Sequence, residues 1–160
     1  MKDMSTVSEL PIKPGTYTLI LRVPKSSEIS VGVLGTRYFM SGFYTYTGSA
    51  LGLHSNLHTR VARHMRSEKR RRWHIDYLLD VADIFCVVFC ISPKRLECAV
   101  VNALYKQGLV DIPAEHFGSS DCKSCASHLY RNLSDNPSII VGAVERAYLE
   151  LGVIPKVLYV

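Results

Sequence analysis

Five side chains in this sequence have types that could act together on one chemical step: Tyr17, Tyr46, Arg60, His64 and Glu97. A carboxylate can hold a hard divalent cation, with water and phosphate oxygens in the other coordination positions. An arginine can bind a phosphate through paired hydrogen bonds and stabilise charge that develops on it. A tyrosine or histidine can accept the proton of an attacking water, although a tyrosine with its ordinary pKa of about 10 needs help from a metal or a cation. The combination predicts cleavage of phosphodiester bonds.

Each of these residues also has an ordinary structural explanation. Tyrosines on strands usually serve packing, and an arginine on a helix is usually solvated. A single histidine is more often part of a surface or core edge than a proton carrier, and Glu97 could form an ion pair with Lys94. The functional interpretation therefore depends on the joint pattern, and it requires that the five side chains line one cleft.

The predicted elements would place these residues on two strands and two helices. Alternating β-branched and aromatic residues predict strands that carry Tyr17 and Tyr46. Arg60 and His64 lie four positions apart on a predicted helix and so share a face, and Glu97 lies near the start of a later helix. The predicted strands are 16–23, 29–34, 37–47 and 84–91, and the predicted helices are 57–65, 73–82, 93–108 and 137–151.

This order of elements predicts an α+β fold with a small, mostly antiparallel sheet flanked by helices and a C-terminal helix extension. Residues 1–14 are expected to form an N-terminal lead-in and residues 15–134 the main domain. Residues 135–160 are expected to form a C-terminal helix and tail packed on the same domain, with 155–160 as a short edge strand. The stretch 109–134 is predicted to be rich in loops.

Composition limits where in the cell the protein can be located and which class of protein it can belong to. No apolar stretch reaches the roughly 18–20 residues that a membrane span needs, and the N-terminal residues lack the apolar run of a secretory signal. Five cysteines, an odd number, argue against a disulfide framework. We therefore predict a cytoplasmic protein without membrane contact, in which Cys86, Cys90 and Cys98 are buried thiols.

Positive charge is concentrated in one segment. The formal net charge is +5, and residues 58–74 contain seven arginines and lysines against Glu68 as the only acid. Such a stripe is typical of a protein that binds a phosphate backbone, although a solvated helix face would look the same. The candidate nucleic-acid contacts are Arg63, Arg66, Lys69, Arg70, Arg71, Arg72 and His74.

A second cluster could hold a metal. Cys122 and Cys125 form a CxxC pair with His128 three residues later, and His116 could be a fourth ligand of a structural zinc site. Zinc is one of three interpretations of this cluster. One alternative is a buried loop in which polar side chains satisfy backbone groups: Ser119, Asp121 and Ser127. Another places residues 119–128 at the rim of the active site.

Four motifs resemble those of the GIY-YIG nuclease superfamily: Gly15-Thr16-Tyr17, Tyr46-Thr47-Gly48, Leu57-His58-Thr59-Arg60 with His64 one turn later, and Leu96-Glu97-Cys98-Ala99. Longer strings are similar to a branch of that superfamily that is common in archaea, is sometimes fused to a DNA-repair glycosylase-lyase, and has no settled function. These strings are YTGSALG (46–52), WHIDYL (73–78) and FGSSDC (117–122) with SHL (127–129).

The resemblance implies a three-stranded antiparallel sheet flanked by helices and a metal-dependent endonuclease that uses Mg²⁺ or Mn²⁺, with DNA repair or recombination as the context. Tyr17 would accept the proton of the attacking water, and Tyr46 would orient water or phosphate. Arg60 would bind the scissile phosphate, His64 would assist proton transfer or contact phosphate, and Glu97 would bind the metal.

Two alternatives stay open at the level of sequence. The same scaffold could be a non-catalytic nucleic-acid binding module, or a zinc-stabilised interaction domain. DNA is favoured over RNA as the partner, and the sequence leaves the choice between a monomer and a homodimer undecided.

Overall fold

The computed structural model of the protein describes residues 5–120 and 122–160. The strands are β1 (Gly15–Val23), β2 (Ser27–Ser30), β3 (Thr36–Phe39), β4 (Gly42–Ala50), β5 (Asp83–Ile91), β6 (Val110–Asp111), β7 (Leu129–Asn132) and β8 (Lys156–Tyr159). The helices are α1 (Leu57–Met65), α2 (His74–Leu78), α3 (Glu97–Lys106) and α4 (Pro137–Glu150). Asp121, named above as a loop residue, lies outside the described residues.

One antiparallel sheet organises the fold. Its strand order is β6-β7-β4-β1-β5-β8, so β1 lies in the middle and pairs along its length with β4 and β5. Strands β2 and β3 form a separate hairpin. The predicted α+β class, with a mostly antiparallel sheet and a C-terminal helix, is confirmed.

Helices cover both faces of this sheet, and the alternation of side chains in β1 explains why. Successive side chains of a strand point to opposite faces. Tyr17, Leu19 and Leu21 join the core beneath α1 and α2. Thr18 and Ile20 face the other side, where the Thr18 hydroxyl lies 2.9 Å from the Tyr148 hydroxyl of α4 and Ile20 belongs to the core formed with α3 and α4. A strand buried on both faces needs the near-continuous apolar run that β1 and β5 have.

The sheet is larger than the three strands implied by the resemblance. The segment 109–134, predicted to be loop-rich, supplies β6 and β7, and the tail supplies β8 as the predicted edge strand. The predicted strand at 37–47 divides into β3 and β4, because a short break at Met40 and Ser41 lies between them. The predicted strand 29–34 was partly wrong, since β2 ends at Ser30 and a 3₁₀ turn follows at Gly32–Leu34.

Two helices are shorter than predicted. Helix α2 covers only His74–Leu78 of the predicted 73–82. Helix α3 begins at Glu97 and not after a Ser92 cap, because the Ser92 hydroxyl accepts the backbone N–H of Lys94 in a local turn. This later start places Glu97 in the first turn of α3. In the described part of the chain, no helix is long and apolar enough to span a membrane.

Candidate active site and metal cluster

A cleft of about 260 Å³ lies where β1 begins and β4 ends. One side, which we call the sheet wall, consists of β1, β4 and α1. The other side, which we call the loop wall, is the connection from residue 112 to residue 128 between β6 and β7. Four of the five predicted catalytic residues line the cleft: Tyr17, Tyr46, Arg60 and Glu97. The fifth, His64, lies behind Tyr17.

Tyr17 and His64 form a buried pair in the sheet wall. The Tyr17 hydroxyl lies 2.7 Å from His64 Nε2, and the two side chains are 1% and 0% exposed. The hydroxyl fits there because Gly48 faces it across the β1–β4 ladder, where a Cβ would lie only 2.6 Å from the Tyr17 oxygen. The expectation that His64 could contact phosphate was wrong, since its ring is sealed from the cleft. His64 reaches the cleft through its hydrogen bond to Tyr17.

Burial controls the protonation of this pair. It raises the pKa of Tyr17 well above 10, with Tyr46 adding to the rise and Arg60 opposing it. Burial lowers the pKa of His64 to about 3, with the charge of Asp76 opposing this and Lys69 reinforcing it. Tyr17 is therefore a neutral phenol and His64 a neutral imidazole at neutral pH. Because either ring nitrogen of a neutral histidine can carry the proton, the bond between them can run in either direction.

Tyr46 connects the sheet wall to the loop wall. Its ring packs edge-on against His64 and against Phe117 of the loop wall, with centroid distances of 6.1 and 6.3 Å. Gly118, with a φ of 71°, lets the loop backbone pass beside this ring, where a Cβ would lie 2.7 Å from the Tyr46 ring. Burial raises the pKa of Tyr46 far above its usual range, so this tyrosine is also a neutral hydrogen-bond donor.

Arg60 is oriented towards the cleft by two neighbours. Its Nε and Nη2 donate to the Ser55 hydroxyl at 3.3 and 2.9 Å, and its guanidinium carbon lies 4.5 Å from the centre of the Trp73 ring. Asn56 caps the helix instead of Ser55, since its side chain accepts the Thr59 N–H. A guanidinium has five N–H donors. As far as the described residues go, Ser55 takes two of them, so the others are available to an anion.

Arg63 is not among the residues that line the cleft, although its guanidinium carbon lies 4.2 Å from the centre of the Trp73 ring, and it has a structural partner. Its two terminal nitrogens donate to the carboxylate of Asp76 at 2.8 and 2.9 Å, and the two side chains are 18% and 0% exposed. Burial alone would raise the pKa of Asp76, but the hydrogen bonds from Arg63 and from the backbone N–H groups of Arg72 and Trp73 lower it to about 2. The sequence pattern predicted that Arg63 contacts nucleic acid, and it gave no indication of the role of Asp76.

Glu97 faces the cleft from the first turn of α3. Its side chain is 13% exposed, and its partner is the well-exposed Arg95 at 3.3 Å, not Lys94. An ion pair of this kind contributes little free energy, so a cation or substrate can replace it.

His74 contributes a further polar group to the cleft. The backbone N–H of Gly118 donates to His74 Nδ1 at 3.0 Å, which makes Nδ1 an acceptor and leaves the proton on Nε2. Burial lowers the pKa of His74. This histidine therefore holds α2 against the loop wall as a neutral ring while it lines the cleft.

The basic segment divides into paired and exposed charges. Arg71 forms an ion pair with Asp80, and the Lys69 ammonium donates to the carbonyls of His64 and Arg66. Three exposed arginines have no ion-pair partner among residues 5–120 and 122–160: Arg66, Arg70 and Arg72. Arg72 lines the cleft itself. The contact of this segment with nucleic acid stays a prediction.

Four soft side chains meet beside the cleft: Cys98, Cys122, Cys125 and His128. Their ligand atoms all lie within 4.8 Å of one another, and the group could hold a metal ion. The fourth member is Cys98, next to Glu97 in α3, and not His116, which is exposed and uses its backbone N–H to bind the Ala126 carbonyl. Cys98 is half-buried in this cluster and not fully buried as predicted. Cys86 and Cys90 are buried in the core, as predicted.

A comparison with protein families decides where the chain belongs. A family model with the description "Domain of unknown function DUF123" matches residues 16–149. The chain belongs to this family. The DUF123 match spans both walls of the cleft, the basic segment and all four members of the soft-ligand cluster. No curated protein and no solved structure matches the chain.

Proposed function

We propose that this DUF123 chain is a metal-dependent endonuclease of the GIY-YIG kind that hydrolyses phosphodiester bonds, with DNA in a repair or recombination setting as its substrate. The observation that carries the proposal is the convergence of Tyr17, Tyr46, Arg60 and Glu97 on one cleft. These residues come from four different elements. A non-catalytic fold would not need to bring a carboxylate, a guanidinium and two phenols to the same opening.

Each residue has a role that its surroundings support. Glu97 would hold Mg²⁺ or Mn²⁺, and the ion would supply Lewis-acid activation of water and phosphate. Arg60, already oriented by Ser55 and Trp73, would bind the scissile phosphate and stabilise the charge of the transition state. Exposed arginines near the cleft would hold the flanking backbone, and Arg72 is among the residues that line the cleft.

The Tyr17–His64 pair would orient the attacking water. When the Tyr17 hydroxyl donates to His64 Nε2, a lone pair of the Tyr17 oxygen is left to accept a hydrogen bond from water in the cleft. His64 is a poor final acceptor of the proton, because its pKa is about 3. We therefore assign His64 as a positioning residue that fixes Tyr17. Because its raised pKa keeps Tyr17 protonated, Tyr17 could accept a proton from water only after losing its own to solvent, and the positive charge of a nearby metal ion would be needed to favour that loss.

The test is cleavage of plasmid and branched DNA by the purified chain with Mg²⁺ or Mn²⁺, comparing the parent chain with Glu97→Gln. We expect Glu97→Gln to lower the cleavage rate by about 1000-fold or more. Its fold should be unchanged, because within the described residues the side chain it alters is paired only with an exposed arginine. Glu115→Gln is the matched control, since Glu115 is exposed on the loop wall outside the cleft, and it should cleave at the parent rate.

Two results would contradict the proposal. Full cleavage by Glu97→Gln would remove the metal role from this carboxylate. Salt-sensitive DNA binding by the parent chain without cleavage under any divalent metal would favour the alternative, a non-catalytic nucleic-acid binding module.

A further inference from the structure

We propose that Cys98, Cys122, Cys125 and His128 bind one zinc ion, and that this ion fixes the loop wall against the first turn of α3. The proposal is independent of what the cleft does. It concerns a different set of ligands from the single carboxylate assigned above, and it adds Cys98, which the spacing of the sequence did not indicate.

The chemistry of the donor set selects the metal. Three thiolates and one imidazole are typical of structural zinc sites, whereas Mg²⁺ and Ca²⁺ prefer oxygen ligands. In a tetrahedral site with Zn–S of about 2.3 Å and Zn–N of about 2.0 Å, neighbouring ligand atoms lie about 3.5–3.8 Å apart. The Cys98 Sγ to His128 Nε2 distance is 3.5 Å, and all the ligand atoms lie within 4.8 Å of one another. The sulfurs of Cys98 and Cys122, which lie 2.8 Å apart, would have to separate by about 1 Å to complete the tetrahedron.

The surroundings of the sulfurs also fit a metal site. The Ser124 hydroxyl lies 3.3 Å from Cys122 Sγ and 3.9 Å from Cys125 Sγ, where it can orient both ligands. Cys125 and His128 are buried, and Cys98 and Cys122 are half-buried. A closed site of this kind, without an exposed coordination position, is structural and not catalytic.

The loop wall is held by isolated contacts and not by regular structure. Its described residues form no helix or strand, and connections of this length without regular structure are uncommon in compact domains. Its apolar anchors are few, with Phe117 the largest. Two backbone hydrogen bonds join its first half to its second half: the N–H of His116 donates to the Ala126 carbonyl, and the N–H of His128 donates to the Phe117 carbonyl. A metal that binds only the folded arrangement would add its binding free energy to the stability of this loop.

The cluster is joined directly to the cleft. Cys98 follows Glu97 in the first turn of α3, and His128 is both a cluster member and a lining residue. One zinc ion would therefore connect the helix that carries the carboxylate to the wall that faces it.

A disulfide between Cys98 and Cys122 is the competing use of the same atoms. Their sulfurs lie 2.8 Å apart, which is longer than the roughly 2.05 Å of a disulfide bond, and both cysteines are free. A disulfide would consume two of the four ligands, so the two arrangements exclude each other and an experiment can separate them.

The test is the zinc content of the full chain after purification and dialysis, measured by elemental mass spectrometry. We expect about one zinc per chain and near-complete loss of zinc in Cys98→Ala. Cys86→Ala is the matched control, because it removes a buried thiol of β5 outside the cluster, and it should keep the parent zinc content. Glu97→Gln should also keep its zinc, so that the failure of the proposed endonuclease activity and the failure of this proposal remain distinct.

A second measurement covers the case in which Cys98→Ala does not fold. In the parent chain, removal of zinc by a chelator should increase amide hydrogen exchange at residues 116–128 by about 100-fold or more while exchange in β1 and β4 stays unchanged. A metal-free parent chain after refolding with zinc would overturn the proposal. So would a mass lower by two hydrogens that indicates a disulfide, or an unchanged exchange rate after zinc is removed.

Discussion

The two walls of the cleft reach their order by different physical means. The sheet wall is held by burial, since Tyr17, Tyr46 and His64 are nearly inaccessible and lie on or against the central strands. The loop wall has no regular structure in its described residues, and specific contacts hold it: the packing of Phe117 on Tyr46, the hydrogen bond from Gly118 to His74, and the soft-ligand cluster.

The two walls should therefore differ in how easily they move. Burial against a central strand cannot be lost without unfolding the sheet, so Tyr17 has one position. A wall that depends on a few contacts can open while the rest of the domain stays folded. Substitutions should therefore affect the sheet wall through global stability and the loop wall through local order.

The largest effect on stability is expected from Arg63→Ala, which removes the ion pair between α1 of the sheet wall and Asp76 of α2. It leaves the buried carboxylate of Asp76 without its cation, and it should lower the free energy of unfolding by about 3 kcal/mol. Arg60→Ala is the matched control, because Arg60 lies one helical turn away and its guanidinium also contacts Trp73. It should cost less than about 1 kcal/mol in stability but lower cleavage by about 100-fold or more.

Denaturant unfolding and a cleavage assay measure both outcomes. The opposite result, with Arg63→Ala stable and inactive and Arg60→Ala unstable, would exchange the structural and functional roles assigned to the two arginines.

An intermediate effect is expected in the loop wall from Gly118→Ala. Gly118 and Gly108 both have a φ near 72°, so an alanine at either position costs about 1 kcal/mol of backbone strain. At Gly108 no heavy atom lies within 4 Å of the added methyl, whereas at Gly118 the ring of Tyr46 lies at 2.7 Å. Gly118→Ala should therefore cost about 1–2 kcal/mol more than Gly108→Ala.

Thermal or denaturant unfolding of the two glycine variants gives this difference directly. Equal costs would mean that the loop wall can move away from Tyr46 without loss, and the contact between the walls would then have no role in their order.

The last effect on stability is expected from pH, through His64, and it accumulates gradually as the pH falls. The pKa of this histidine is about 3 in the folded protein against 6.5 for an unperturbed histidine. Because the folded-state value is lowered, the unfolded chain binds a proton that the folded chain does not, and stability falls as pH falls below 6.5. The slope should approach about 1.4 kcal/mol per pH unit between about pH 6 and pH 4.5. The lowered pKa of His74 acts in the same direction.

Urea unfolding at several pH values in this window, on the parent chain and on His64→Gln, isolates the contribution. The variant should lose most of the slope, while His54→Gln, at an exposed position, should keep it. A parallel slope in His64→Gln would show that another group carries the acid sensitivity.

Much of the sheet wall could be predicted from sequence, because it follows from local patterns. Alternation in the segment around Tyr17 indicates a strand, and the spacing of Arg60 and His64 indicates a shared helix. Even the burial of His64 had a signal, since it lies on the same helical stripe as Leu57 and Val61. This stripe favours a buried position for His64 over a contact with phosphate.

The loop wall could be predicted only in part, because its contacts join distant parts of the chain. The CxxC pair and His128 are visible as a local motif, but Cys98 is separated from them by the rest of α3, β6 and part of the loop. Only the folded chain brings it within 2.8 Å of Cys122. The pairing of Arg63 with Asp76 was hidden for the same reason, since a run of basic residues gives no indication of which one is taken by a buried acid.

The central position of β1 also determines when the cleft can form. Although β1 comes early in the chain, both of its partners, β4 and β5, come much later. Contacts of such long separation are slow to form, because loop closure must precede the gain from pairing. Tyr17, Tyr46 and Glu97 therefore come together only after β1 has been enclosed between its partners. A newly made chain should gain its cleft late in folding, in one cooperative step.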